Sequence, residues 1–221
     1  MSFKNETVDT GINVWPSVLD MLAATLMVFV IVTYAQRVLT SDLMTAMSKE
    51  RKNIFVKTFK KELNKEITQQ NLLTIKAETN NDVLISFNNN VLFSSGGDIL
   101  DDSAKTILKQ VGNELAKWTH NCISRIQIEG HTDDSPVKFP SDMYSNNWEL
   151  SSRRAAKVLT FITSTSNLNK EIISATGYGS QRTLDKTNTS KAKKEDRRVE
   201  IRVFFDVDQK LNALDNPCKV K

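Results

Sequence analysis

Residues 14–34, VWPSVLDMLAATLMVFVIVTY, decide how the rest of the chain is arranged. At about 1.5 Å rise per residue, a helix over this stretch is roughly 31 Å long, the thickness of a bilayer's hydrocarbon core. Pro16 suits a first helical turn, where its missing N–H would have had no partner. Trp15 and Tyr34 stand at the two ends, where amphipathic rings settle at headgroup level. The stretch reads as one membrane-spanning helix over residues 14–35. It is too long for the apolar part of a signal peptide, and the preceding tail carries Glu6 and Asp9 against Lys4 alone.

Asp20 is the unusual residue in that helix. A carboxylate at membrane depth costs about 2.5–3.5 kcal/mol on insertion scales. Ser17, Ala24 and Met27 share its face and Ala23 lies beside it, so another helix could approach closely and shield it from lipid. Two readings stay open. Asp20 either snorkels to the interface, or it faces a protein or water pathway and carries an ion.

The chain has 221 residues and a net charge of +4. Residues 1–13 form a short polar tail. Residues 36–72 are read as a helical connector, since Gln36 to about Gln70 lacks Gly and Pro, and Phe55, Phe59, Leu63 and Ile67 recur every four residues. Basic residues outnumber acidic ones there, but the aromatics lie on the apolar stripe, not among the charges. That pattern excludes direct nucleic-acid binding and predicts a stripe that pairs with a second copy of the chain.

A compact domain is expected over 73–208, followed by a tail at 209–221. Asp82 to Phe93 reads as strand, Asn-Asn turn and strand, and the turn at 94–98 ends in Asp98 as a helix cap. Leu100, Ala104, Ile107, Leu108, Val111 and Leu115 form the buried stripe of the helix that follows. Ile126 and Ile128 alternate in a strand ending at Gly130. A Pro-, Asp- and Ser-rich loop runs to Asn146, and a second helix starts near Trp148. Ile172–Ala175 is a short strand before Gly177-Tyr178-Gly179, and Arg198–Phe205 is the last. Helices alternating with strands predict an α+β sandwich, with helices packed on a mixed sheet. Arg198 and Glu200 alternate with the buried residues of the last strand, which places them at a sheet edge or site rim. Cys122 and Cys218 lack metal-ligand spacing with His120 or His131, and a disulfide between them stays open. His131 is not read as a metal ligand, because no partner cluster is legible around it. No nucleophile, base and oxyanion set converges, so an enzyme is not expected, and no cofactor motif is present.

Five motifs carry a family resemblance. Residues 128–134 (IEGHTDD), 147–151 (NWELS), Arg154-Ala155, Gly177-Tyr178-Gly179 and 197–201 (RRVEI) resemble, in order, the signature of OmpA-like peptidoglycan-binding domains over roughly residues 80–206. The resemblance implies binding of the cell-wall stem peptide, chiefly its diaminopimelate residue. The family's acid falls on Asp133 and its arginine on Arg154. Diaminopimelate presents a carboxylate and an ammonium on one carbon. The planar fork of Arg154 suits the first and Asp133 the second, with Thr132 and Asn147 as neutral donors and Leu150 beside them. The alternative is that Asp133 and Arg154 pair with each other. Arg153, one helical step away, is expected to face elsewhere.

One membrane helix bearing an acid, a helical connector and an OmpA-like domain resemble the B subunit (MotB-type) of flagellar-type stators, and more closely the B subunit of the Zorya antiphage-defence motor. The resemblance implies a single-pass protein of the cell inner membrane with a cytoplasmic N-terminus and a periplasmic domain. It also implies a homodimer inside a ring of multi-pass A subunits, with Asp20 carrying the ion, a proton. The Lys and Arg residues just after the helix favour the opposite orientation, but long domains translocate largely regardless of charge.

Overall fold

The computed structural model describes residues 15–63, 72–78, 82–94, 97–119, 123–137, 144–187 and 189–205. The tails, Cys122 and Cys218 lie outside them. The described chain divides into two units, meeting between Ala46 and Met47.

Helix α1 runs unbroken from Trp15 to Glu62. Its part within the first unit is exposed on all sides, and Trp15–Leu43 is long and apolar enough to cross a membrane. A helix apolar all round suits lipid better than water.

The second unit is built on one five-stranded sheet, in the order β1-β2-β5-β3-β4. β1 (Leu73–Ala77), β2 (Asp82–Asn88), β5 (Arg198–Phe205) and β3 (Ile123–Gly130) pair antiparallel in turn. β4 (Ile173–Gly177) pairs parallel with β3. Two long helices, α3 (Asp102–Trp118) and α4 (Asn147–Thr165), are buried along the apolar stripes expected for them. A one-turn α2 (Asn89–Leu92) follows β2, a 3-10 turn (Lys170–Ile172) precedes β4, and α5 (Ser190–Asp196) precedes β5. This is the expected α+β arrangement of helices on a mixed sheet. One sheet face supplies Val83, Ile85, Phe87, Ile126, Ile128, Val199, Ile201 and Val203 to the core, all fully buried. Their strict alternation is the period-two signature of the strands.

Four local expectations are corrected. The strand expected after Asn89-Asn90 is the helical turn α2, because the Asn88 side chain accepts the Asn90 amide at 3.2 Å and caps it. β2 finds its hairpin partner upstream, in β1. The cap of α3 is Asp101, not Asp98. Arg198 and Glu200 are at neither an edge nor a rim, since β5 is central and both are buried.

The largest correction concerns the connector stripe. Phe55, Phe59 and Leu63 are buried in the chain's own core rather than left for a second copy. The Phe55 ring meets Trp118 edge-on at 5.1 Å and Phe205 at 5.2 Å, and stacks on Phe59 at 5.0 Å. Lys52 adds a 2.7 Å hydrogen bond to the Glu78 carbonyl. Periodicity finds an apolar stripe but not what covers it.

Candidate functional site: a buried arginine beside an ion pair

The sheet's register brings the motifs together. β3 and β5 are antiparallel, with Gly130 opposite Val199, so the chain leaving β3 runs beside the chain entering β5. The His131 amide donates to the Arg198 carbonyl at 2.9 Å, and the Thr132 amide donates to the Gly179 carbonyl at 2.9 Å. Asp133 is thereby set against Arg197, whose Nη1 donates to Asp133 Oδ2. The second carboxylate oxygen accepts the Ser135 amide at 3.2 Å.

Helix α4 approaches the same corner. Its cap Asn146 accepts the Glu149 amide at 3.0 Å, and Glu149 accepts the Ser145 amide at 2.7 Å, so its entry is held from both sides. Gly130 lets the helix lie against β3, since a Cβ there would run into the Ser151 carbonyl. Asn147 gives its side-chain N–H groups to the Asp133 carbonyl at 3.2 Å and the Ser135 carbonyl at 2.9 Å. It therefore positions the Asp133 loop, with its donors already in use. Leu150 is buried one turn further on.

Arg154 is only 3% exposed. Its Nε donates to the Gly97 carbonyl at 2.9 Å, and its guanidinium carbon lies 5.5 Å from the centre of the Phe93 ring. Among the described residues no carboxylate comes within ion-pair distance of it, so the alternative in which Asp133 and Arg154 pair is not what forms. Burial lowers Arg154 to about 10, partly offset by Tyr144, Asp98 and Asp133 and reinforced by Arg197. The group stays protonated at neutral pH. Arg153, expected to face elsewhere, reaches the same loop and holds Asp98 at 2.9 Å. With Asp133 matched to Arg197, the described residues of the corner leave the positive charge of Arg154 without a carboxylate partner. A buried unpaired cation is costly unless an anion meets it.

The other sheet face carries a second set of charges. Arg202 bonds Glu129 at 2.9 Å and Asp82 at 2.6 Å, and Arg198 bonds Glu200 at 2.7 Å. His131 lies among them, with Nε2 3.3 Å from Glu200 and 3.8 Å from Glu129, in ion-pair range but off hydrogen-bond geometry. The expectation that His131 has no partner cluster is corrected, because Glu129, His131 and Glu200 converge. Arg198 and Arg202 already neutralise both carboxylates, which leaves little for a metal cation to gain. Burial alone would raise Glu200, but His131 and Arg198 outweigh it and hold the carboxyl at about 2. Burial likewise opposes the Glu129 and Asp82 contacts that keep Arg202 above its ordinary value.

Sequence reading missed Arg197 as a site residue. Its signal was its place in the RRVEI motif, one residue before the strand that the motif opens.

Residues 92–197, which carry α3, α4 and this corner, match the OmpA family. Among curated proteins the chain is 40% identical over 76 residues to the uncharacterized protein YtxE of Bacillus subtilis (strain 168), which is 34% of this chain and 31% of that protein. The match thus spans about a third of that relative's length. Among solved structures, a putative MotB-like protein from Desulfovibrio vulgaris is similar with a TM-score of 0.60 at 20% identity, over 72% of this chain and 99% of that one. The cell wall anchor of the T6SS from Pseudomonas aeruginosa gives 0.56 at 20%, over 64% and 93%. The periplasmic domain of Helicobacter pylori MotB gives 0.54 at 19%, over 61% and 82%. At these identities the likeness is one of fold.

Proposed function

We propose that this chain is the wall-anchored B subunit of a proton-driven rotary membrane motor acting in antiphage defence. Its helix crosses the inner membrane once with the N-terminus in the cytoplasm, and its second unit binds peptidoglycan in the periplasm. The observation that carries wall binding is Arg154: buried, protonated and without a carboxylate of its own among the described residues. A diaminopimelate carboxylate supplies the missing anion as a bidentate partner, and its ammonium shares Asp133 with Arg197. Thr132, whose buried hydroxyl has no hydrogen-bond partner among the described residues, offers a neutral contact if the corner opens to the ligand, while Asn147 and Leu150 hold the corner's shape. The chain acts by binding and ion carriage rather than by enzymatic catalysis.

The motor reading rests on Asp20 within an apolar helix long enough to cross a membrane. Two copies would stand inside a ring of multi-pass A subunits, paired through the small residues around Asp20 and not through the Phe55 stripe. Similarity to a solved cell wall anchor favours a second reading, a passive tether from membrane to wall. A flagellar stator is the third.

Wall binding is tested by sedimentation of the detergent-solubilised full chain with diaminopimelate-type peptidoglycan. Asp133→Ala and Arg154→Ala lose co-sedimentation while remaining folded. Undiminished binding by both removes this corner as the wall site.

A further inference from the structure

We propose that His131 is a positioning residue for the wall-binding corner, holding Asp133 against Arg197 through a proton carried on its buried ring. This rests on the wall-binding reading above and concerns how pH regulates that site.

His131 is 1% exposed, and the edge of its ring faces two carboxylates, with Nε2 3.3 Å from Glu200 and 3.8 Å from Glu129. Neither ring nitrogen has a hydrogen-bond partner among the described residues. A neutral ring gains little in that position. An imidazolium is attracted by both oxygens, in surroundings that screen charge poorly.

The neighbouring charges leave room for one more cation. Arg202 is shared between Glu129 and Asp82, and Arg198 between Glu200 and Asp196, the last at 4.0 Å. Arg182, half-exposed, lies 3.7 Å from Glu129. Four carboxylates thus face three guanidiniums, while Asp133 with Arg197 and Asp134 with Lys193 pair separately. The surplus is a single negative charge, which one proton balances. Glu129, like Glu200, is held below its ordinary value: burial would raise it, but contacts to His131 and Arg202 outweigh burial. Both therefore stay ionised between about pH 5 and pH 8, the range in which histidines change charge.

The same residue ties this cluster to the corner. The His131 amide donates to the Arg198 carbonyl at 2.9 Å, so Asp133, two residues on, and Arg197, one residue before Arg198, leave from one link. The His131 ring stacks on Tyr178 at 5.5 Å, and the next carbonyl, that of Gly179, accepts the Thr132 amide at 2.9 Å. Loss of the proton leaves Glu129 and Glu200 facing an uncharged ring. Displacing that ring moves the loop that carries Asp133.

The test measures co-sedimentation of the detergent-solubilised full chain with diaminopimelate-type peptidoglycan between about pH 5 and pH 8. Affinity in the parent is expected to fall as pH rises, by up to about tenfold, the change that goes with a one-unit coupling of proton and ligand. His131→Gln, uncharged throughout, binds at the parent's alkaline level without that slope. A second measurement leaves His131 unchanged. The chain has two histidines, so His120→Gln makes His131 the one imidazole seen by NMR. Its titration is expected to move to higher pH when the diaminopimelate stem tripeptide is bound. A flat parent profile, or a slope that His131→Gln retains, overturns the inference, and so does an NMR titration that the peptide leaves unmoved. A parent that binds at no pH overturns the wall-binding reading as well.

Discussion

Arg197 holds Asp133, and that pairing leaves Arg154, buried in the same corner, without a carboxylate of its own among the described residues. Among the described residues the corner is thus one negative charge short, and under the proposed function a ligand carboxylate would complete the balance.

Arg197→Gln separates the two halves of that statement. It leaves Asp133, which is only 7% exposed, as a carboxylate without its cation, at a cost of about 1–3 kcal/mol in stability. A stem-peptide ammonium then restores a partner. Thermal unfolding of the full chain in detergent is expected to show a lower Tm for the variant and a larger ligand-induced rise than in the parent. Equal rises would mean that Asp133 does not receive the ammonium.

The buried charges on the opposite sheet face predict a pH dependence. Glu200 is held at about 2 in the folded state, below its unfolded value of roughly 4.3. A depressed carboxyl contributes stability that is present above its unfolded value and is lost as pH falls through the folded one. Denaturant unfolding is expected to lose stability between about pH 4 and pH 2. Glu200→Gln is less stable at neutral pH, with a shallower acid limb. An acid limb as steep as the parent's would place the effect elsewhere.

Phe59 tests where the connector ends. As a fully buried core residue, Phe59→Ala costs about 3–5 kcal/mol in the stability of the domain. A stripe waiting for a second copy would show a loss that depends on protein concentration. Unfolding at several concentrations distinguishes the two, and a concentration-dependent loss would contradict the packing described.

Asp20→Asn separates a motor from a tether. The amide is nearly isosteric and cannot alternate between charged and neutral forms, while a tether needs only an apolar helix. Phage protection by cells carrying the variant is expected to vanish at normal membrane levels, with Asp20→Glu retaining some. Full protection by Asp20→Asn would leave the tether.

Much of the fold was legible because burial imposes periodicity. Val199, Ile201, Val203 and Phe205 announce β5, and the stripes of α3 and α4 announce their helices. Features set by tertiary partners were less legible. Phe55 and Phe59 show a helical stripe, but Trp118 and Phe205, which cover it, are remote in sequence. α5 was missed because Ser190–Asp196 is short, charged and without an apolar stripe, with only Ala192 and Asp196 buried. At the site, motif spacing placed Asp133 and Arg154 in one corner. It did not show that Arg197 would take Asp133, because that depends on the β3–β5 register. Nor did alternation show that Glu200 is buried among arginines, since a polar residue on a strand is by default read as exposed.

Whether Arg154 receives a ligand carboxylate is read by calorimetric titration with two peptides. One is the diaminopimelate stem tripeptide. The other is the same peptide with the free carboxyl beside its ammonium converted to an amide. The parent is expected to bind the acid at least about tenfold more tightly than the amide, the scale of a charge-assisted bidentate contact. Arg154→Gln is expected to remove the difference. Equal affinities for acid and amide in the parent protein would contradict a carboxylate at Arg154.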